Sequence, residues 1–355
     1  MYSVYFIVHK NHLYPMRLCA IRVPRTMAEQ IRKLLLQCDL IHPDAQIRTD
    51  GNHILIPTIE QVIISELTAQ CESNIQNSDS ITVIETEFEL KIKKPTLEDI
   101  LGFSPAFDVI GDIAIIDACD PDAKKIASAL LDCRKSIKVV LGTAGPVSGE
   151  FRTRNLKFLL GEHRMQTVHT EYGCRYKLDL STAYFSQRLS TERKRVVDTV
   201  KPAQMVIDLF AGVGPFSILI ARNIPTSTVI AVDKNPEAVQ LIKENIQLNH
   251  LHNIMAVEDD ARHAAVEFGN SSDHVIMNLP HSSRKFIDSA ITAANDGGLI
   301  HFYDITPQHD LYQTSWELIS KEAARLRRRV ECVNKRIVRS YAPYQYNVCI
   351  EFRVY

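Results

Sequence analysis

The stretch 205-MVIDLFAGVGPFSILIARN-223 decides how the chain is read. Its apolar start predicts a buried strand ending near Asp208. Gly212 and Gly214 then form a turn, and a helix begins near Phe216. Glycines suit that turn because the backbone must bend tightly and let a ligand approach with no Cβ in the way. A second strand, 228-TVIAVD-233, ends in Asp233, which lies 21 residues after Gly212. A carboxylate at that distance can accept hydrogen bonds from a ribose diol. A glycine pair alone specifies little; strand, turn and acid at this spacing specify a nucleotide-like cofactor.

Outward from there, strands and helices alternate, the mark of a parallel α/β sheet. Helix 235-NPEAVQLIKENIQLNH-250 leads to a strand whose end carries 258-EDDARH-263, and further strands are expected at 274-HVIMNLP-280 and 298-GLIHFYDI-305. The tail, 335-KRIVRSYAP-343 with 346-YNVCIEFRV-354, reads as an antiparallel edge hairpin. Asp260 is placed to bond an adenine amino group or, equally, to cap a helix. Asn278 falls at the C-terminal end of the fourth strand, where α/β folds bind ligands. Proline at 280 terminates that strand.

Two cofactors fit such a plan. A nicotinamide dinucleotide prefers a third glycine for helix–strand packing, but Ser217 stands there and Pro215 removes an amide donor. Asp208 on the first strand, in D-L-F-A-G-V-G, suits a sulfonium and an ammonium better than a pyrophosphate. S-adenosylmethionine is favoured.

Before this region the chain predicts two smaller units. Residues 27–40 and 53–58 read as a helix and an extended segment, 71–80 as a polar loop, and 81–90 as a strand. Residues 91–100 form a linker leading into a helix. Gly111-Asp112 between apolar runs suggests a hairpin in 107-FDVIGDIAIID-117, followed by a helix near 121–134 and a strand at 137–142; Gly173 turns a second hairpin within 165–180. The expected division is a small domain at 1–92, a middle α+β domain at 93–183 and the cofactor domain at 184–355.

The 355 residues carry 41 Lys and Arg against 42 Asp and Glu, so the net charge of −1 is not that of a dedicated electrostatic nucleic-acid binder. The charge is uneven, however. Eight Lys and Arg stand against two Glu between Lys321 and Arg339, and 188-RLSTERKRVVDTVK-201 is also mainly basic. Local basic faces engage phosphates, although a solvated helix face explains either run equally well. Eight scattered cysteines without a Cys-x-x-Cys pair indicate neither a disulfide framework nor a metal site. No apolar run approaches the roughly 18 residues of a membrane span. The start, MYSVYFIVHK, has no basic region before its apolar stretch, so a cytoplasmic protein is expected.

Taken together, 149-GEFRTR-154, 161-GEHR-164, 184-YFSQRLSTER-193, 207-IDLFAGVGPFSI-218, 278-NLP-280, 284-RKFID-288 and 338-VRSYAP-343 resemble the archaeal and eukaryotic tRNA (guanine-37-N1)-methyltransferases. The pieces run in family order over about two thirds of the chain. The family often has Pro and Gly-Gly where this chain has Gln187 and Ser190-Thr191. The resemblance implies a Rossmann-like class I methyltransferase domain behind two smaller α+β domains, acting on G37 of the tRNA anticodon loop; a monomer is expected. It also implies that the first domain checks tRNA shape.

Methylating guanine at N1 demands that the N1 proton leave and that charge on O6 be stabilised. By the resemblance, Glu192 is the general base and Arg152 faces O6. Asn278 and Pro280 would hold the guanine, and Tyr184 is a candidate stacking platform. Arg193, Asp208, Phe210, Gly212, Gly214, Asp233, Lys234, Asp260, Ala261 and Asn278 would contact the cofactor. Read without it, Glu192 and Arg152 are better explained by a surface ion pair and a structural arginine, since surface ion pairs are common. A wybutosine-pathway enzyme of the same fold is the nearest alternative, moving an aminocarboxypropyl group or methylating a wyosine intermediate. The resemblance places a different stretch at 278–280 in the transferase branch. A non-catalytic RNA-binding protein is a further alternative.

Overall fold

Alternating burial builds a small antiparallel sheet from the first described strand onward. The computed structural model describes residues 15–60, 62, 80–90, 95–145, 149 and 154–355. It divides into two compact units, Met1–Pro95 and Thr96–Tyr355. In the first, β1 (Pro15–Pro24), β2 (Arg48–Asp50), β3 (His53–Pro57) and β4 (Thr82–Glu89) pair in the order β2-β3-β1-β4. Helix α1 (Ala28–Gln37) buries Ile31 and Leu35 in a cluster with Ile21, Val23 and Ile56. The loop expected at 71–80 and the linker at 91–94 lie, Ser80 apart, outside the described residues.

The second unit opens with α2 (Leu97–Leu101), closed by a Thr96–Asp99 capping box and by Gly102 at φ +79°. A four-stranded sheet follows in sequence order: β5 (Asp108–Ile110), β6 (Ile113–Asp117), β7 (Val139–Thr143) and β8 (Leu156–Gly161). The hairpin at Gly111-Asp112 forms as the sequence predicts, with Ile110 opposite Ile113. Helix α3 (Ala123–Cys133) crosses from β6 to its parallel neighbour β7. Because strand side chains alternate, Ala114 and Ile116 bury against α3 while Ile113 and Ile115 face the other way. That second face shares a cluster with Val206, Phe216 and Ile220. One core therefore runs without a break across residue 184.

A two-stranded hairpin, β9 (Gln166–Glu171) and β10 (Cys174–Asp179), turns at Tyr172-Gly173, both at positive φ. Its free edge is closed by a helix. Asn245 accepts from the Lys177 amide at 2.6 Å and donates to the Lys177 carbonyl at 3.1 Å; Asn249 does the same for Arg175, at 2.8 and 2.6 Å. Four residues of helix rise about 6 Å and two residues of strand about 6.8 Å, so amides one helical turn apart match alternate strand residues.

The remaining chain is a seven-stranded sheet. Its strands are β11 (Met205–Asp208), β12 (Thr228–Asp233), β13 (Ile254–Glu258), β14 (Ser272–Met277), β15 (Ala294–Pro307), β16 (Val330–Ala342) and β17 (Gln345–Val354). They lie in the order β13-β12-β11-β14-β15-β17-β16. The first five are parallel and β17 runs antiparallel to both neighbours, as the sequence anticipates. The order reverses between β11 and β14, and such a switch point opens a crevice at the strands' C-terminal ends. Helices α4 (Ser190–Val197), α5 (Pro215–Asn223) and α6 (Pro236–Leu248) supply buried residues to one face. Helices α7 (Ala261–Glu267), α8 (Ile287–Ala293) and α9 (Gln313–Arg325) supply the other.

Candidate active site

A cavity of about 990 Å³ opens at that switch point. Its base is the loop between β11 and α5. Gly212 sits at φ +57° and Gly214 at +82°, a conformation costly for any residue with a Cβ. A Cβ on Gly214 would also press Ile218 at 3.1 Å. Pro215 occupies the first helical position, where its missing N–H costs nothing. Asp233, at the end of β12, accepts from the Gly212 amide at 2.7 Å and the Asn235 amide at 2.9 Å, so the acid and the glycine turn are one unit. Burial nonetheless holds its carboxyl above the ordinary range against those bonds.

Asp208 is wholly buried and outside the cavity lining. It accepts from Ser217 Oγ at 2.8 Å, and its Oδ1 has no hydrogen-bond partner. Ser217, which argues against a dinucleotide, is thus the acid's own donor. Burial pushes Asp208 up to about 7 against that bond. A buried acid with an orphaned oxygen below a glycine turn fits a cofactor bearing an ammonium and a sulfonium, and S-adenosylmethionine is such a molecule.

Raised above its unfolded value of 3.8, the Asp208 carboxyl contributes stability that is full below about pH 4 and lost as pH rises through 7. From pH 5 to 8, ligand-free wild type is therefore expected to lose on the order of 2 kcal/mol relative to Asp208→Asn. Parallel pH profiles of the two proteins in thermal melts would refute this.

Of the two roles expected of Asp260, the helix cap is formed, and the side chain also stands in the cavity lining. It caps α7, accepting from the Arg262 amide at 3.0 Å, and it lines the cavity with Lys234 and Ala261. Phe210 meets Phe286 edge-on at 5.0 Å, and the Arg262 guanidinium lies 4.1 Å from the Phe286 ring centre. These three make an aromatic and cationic wall that the sequence did not single out beyond Phe210.

Asn278 and Pro280 line the same cavity. The Leu279 carbonyl accepts from the amides of Ser282 at 2.9 Å and Ser283 at 2.8 Å, and Ser283 Oγ donates to the Tyr303 carbonyl at 2.6 Å. The turn is thus fixed through its backbone, leaving the Asn278 amide unencumbered by the fold. His281 lies edge-on to Tyr341, ring centres 5.1 Å apart. Tyr184 also lines the cavity, but of the aromatic pair near Asn278 one ring, Tyr341, comes from the C-terminal hairpin, which contributes Arg339 and Asn347 as well. Sequence reasoning missed Asn347 because nothing local marks it: the position is made by strand pairing, opposite Ile305 and Arg339.

Arg193 is buried and lines the cavity, bonded to both Glu171 oxygens and to the Ser186 carbonyl. Glu192 is 3% exposed and lies outside the lining. It is not the surface ion pair that the local sequence allowed. Its carboxylate receives Arg195 Nη2 at 2.7 Å and the Tyr303 hydroxyl at 2.8 Å, with Arg336 at 3.5 Å. Much of the basic run at 188–201 is consumed in such pairs: Arg188 with Asp108 at 2.8 Å, and Lys194 with Asp198 at 2.6 Å. Arg152 lies outside the described residues, but Gly149 and Arg154, on either side of it, line the cavity.

A sheet of this order with its ligand crevice at the switch point defines an α/β enzyme domain of the methyltransferase kind. Residues 167–332 match the TRM5/TYW2 methyltransferase domain, residues 20–66 the tRNA methyltransferase 5 N-terminal domain, and residues 91–164 the TYW2 N-terminal domain. The chain is 37% identical to the tRNA (guanine(37)-N(1))-methyltransferase Trm5b of Pyrococcus abyssi, over 94% of this chain and 98% of that protein. The crystal structure of that protein superposes with a TM-score of 0.71 at 36% identity, covering 95% of this chain and 99% of the other. A complex of aTrm5 with tRNALeu gives 0.70 at 33% identity, with the same coverage. An aminocarboxypropyltransferase acting on 4-demethylwyosine(37) of tRNA(Phe), from Methanocaldococcus jannaschii, is 31% identical over 69% of this chain and 96% of its own length. The chain belongs to the TRM5/TYW2 methyltransferase family. Among its described residues no helix is long and apolar enough to cross a membrane.

Proposed function

We propose that the protein methylates N1 of guanosine 37 in tRNA, working as a cytoplasmic monomer with S-adenosylmethionine as donor. The observation that carries this reading is the shared cavity: the glycine turn, Asp233 and Asp260 stand in one lining with the Asn278-Leu279-Pro280 turn. Bound there, S-adenosylmethionine would supply an electrophilic methyl group. Asp233, Lys234, Asp260, Ala261, Arg193 and the Gly212 loop would hold it, with Asp208 buried beneath that loop.

The guanine must leave its stack, at a cost of a few kcal/mol recovered in the pocket. The Asn278 amide, able to donate and accept, grips the base edge. Arg152 offsets the charge that develops on O6. Glu192 receives the N1 proton; from outside the lining it does so by turning from Tyr303 into the cavity or through one water. Likeness to a tRNA (guanine(37)-N(1))-methyltransferase over 94% of the chain, against 69% for the aminocarboxypropyltransferase, supports methyl transfer over aminocarboxypropyl transfer.

The expected result with purified protein, S-adenosylmethionine and an unmodified tRNA transcript is 1-methylguanosine at position 37 by nucleoside mass spectrometry. An A37 transcript should stay unmodified. An aminocarboxypropyl adduct, or no product, sinks the reading.

A further inference from the structure

Behind the cavity a line of buried polar side chains crosses the sheet from Gln204 to Glu192, and its protons can be counted. The Lys201 amide donates to Gln204 Oε1 at 2.7 Å, which fixes that oxygen as an acceptor. His274 Nε2 lies 3.0 Å from the same oxygen and so must carry a hydrogen. Burial first, then the neighbouring His301, pushes His274 down to about 3, so it holds one proton only and its Nδ1 is bare. His301 Nε2, 3.1 Å from that nitrogen, must therefore donate. The other His301 nitrogen, Nδ1, lies 2.7 Å from Glu351 Oε1. Burial works against a charge on Glu351, but His301, Arg195 and Asn334 outweigh it and hold the carboxyl well below the ordinary range. A carboxylate cannot donate, so Nδ1 does. Both nitrogens of His301, a residue with no exposed surface, thus face acceptors.

From Glu351 the line continues. Arg195 Nη1 reaches Glu351 Oε1 at 2.7 Å while its Nη2 and Nε hold Glu192. The order is imidazolium, carboxylate, guanidinium, carboxylate, each buried charge beside its opposite. Buried ion chains repay their desolvation poorly, so a role beyond stability is the better account of one that ends beside the cavity.

We propose that His301 is held as a buried imidazolium and that, with Glu351 and Arg195, it positions Glu192 and sets its readiness to accept a proton. This rests on the reading of Glu192 as the proton acceptor. Glu192 is faced by Arg195 from α4, Tyr303 from β15, Arg336 from β16, and Cys349 and Glu351 from β17. Asp273 and Arg353 act on His274 from farther away. Arg195 is thus divided between two carboxylates. Removing the charge of Glu351 gives the guanidinium wholly to Glu192, which then accepts a proton less readily.

Glu351→Gln is expected to move the acid limb of the rate–pH profile down by about one unit and to lower single-turnover methylation at neutral pH by up to about tenfold. Affinities for S-adenosylmethionine and tRNA should stay within twofold of wild type, and Glu351→Asp should recover part of the rate. A merely structural Glu351 would alter stability or tRNA affinity and leave the acid limb in place, which overturns the proposal. Glu192→Gln separates the two readings. If it retains turnover, Glu192 is not the acceptor; if it is inactive while Glu351→Gln is unshifted, the charged chain alone fails. Ring-nitrogen NMR of the 15N-histidine-labelled full chain at pH 7.5 reads the first link in the wild-type fold. The signals lost in His301→Gln should show both nitrogens protonated, and a neutral tautomer there refutes it.

Discussion

Glu192→Gln is expected to slow methyl transfer to G37 by about 10²–10⁴-fold, the usual worth of a positioned proton acceptor. The substitution is nearly isosteric. A glutamine carbonyl still accepts from the Tyr303 hydroxyl, which burial holds protonated well above the ordinary tyrosine range. Arg195 keeps Glu351 as a partner, so no buried guanidinium is stranded. Cofactor affinity should consequently hold, since Glu192 is outside the cavity lining. Isothermal titration with S-adenosylmethionine beside single-turnover methylation separates the outcomes. If affinity and rate fall together, Glu192 is structural.

Asn278→Ala is the second large effect. The amide stands on a turn held by the Leu279 carbonyl and by Ser283, neither of which uses the Asn278 side chain. Truncation should therefore leave the melting temperature within about 2 °C, in keeping with the small cost of deleting a side chain that holds nothing in place. The guanine edge, however, loses a preorganised partner, and kcat/KM for the tRNA should drop by about 10²-fold. A variant with wild-type kcat/KM would show that the amide serves strand termination alone.

The cofactor half of the site was legible in sequence because its parts are local. Asp208, the Gly212–Gly214 turn, Asp233 and Asp260 all sit at strand ends fixed by a strand–turn–helix pattern, and the structure gathers Gly212, Asp233 and Asp260 into one lining. Asp208 supports that loop from outside the lining instead of lining the crevice. The substrate half was legible only in pieces. Asn278 could be placed because it ends a strand, whereas Arg339, Tyr341 and Asn347 enter through an antiparallel hairpin whose register no local pattern fixes. The charge around Glu192 was misjudged for a related reason. A basic run counted along the chain cannot reveal that Asp108, Glu171 and Glu351, up to 156 residues distant, neutralise it.

The seam between the β9–β10 hairpin and α6 works as a vernier. Two scales of slightly different pitch, the helical turn and the strand repeat, coincide at Arg175–Asn249 and Lys177–Asn245. Sliding the hairpin by one residue would turn its buried face outward and leave both asparagines opposite the wrong groups. Glu171, which grips Arg193 at the cavity, rides on that hairpin. A length change between Glu171 and Lys177 anywhere but at the Tyr172-Gly173 turn would thus pull Glu171 away from Arg193, so the two asparagines set the reach of a residue that neither of them touches.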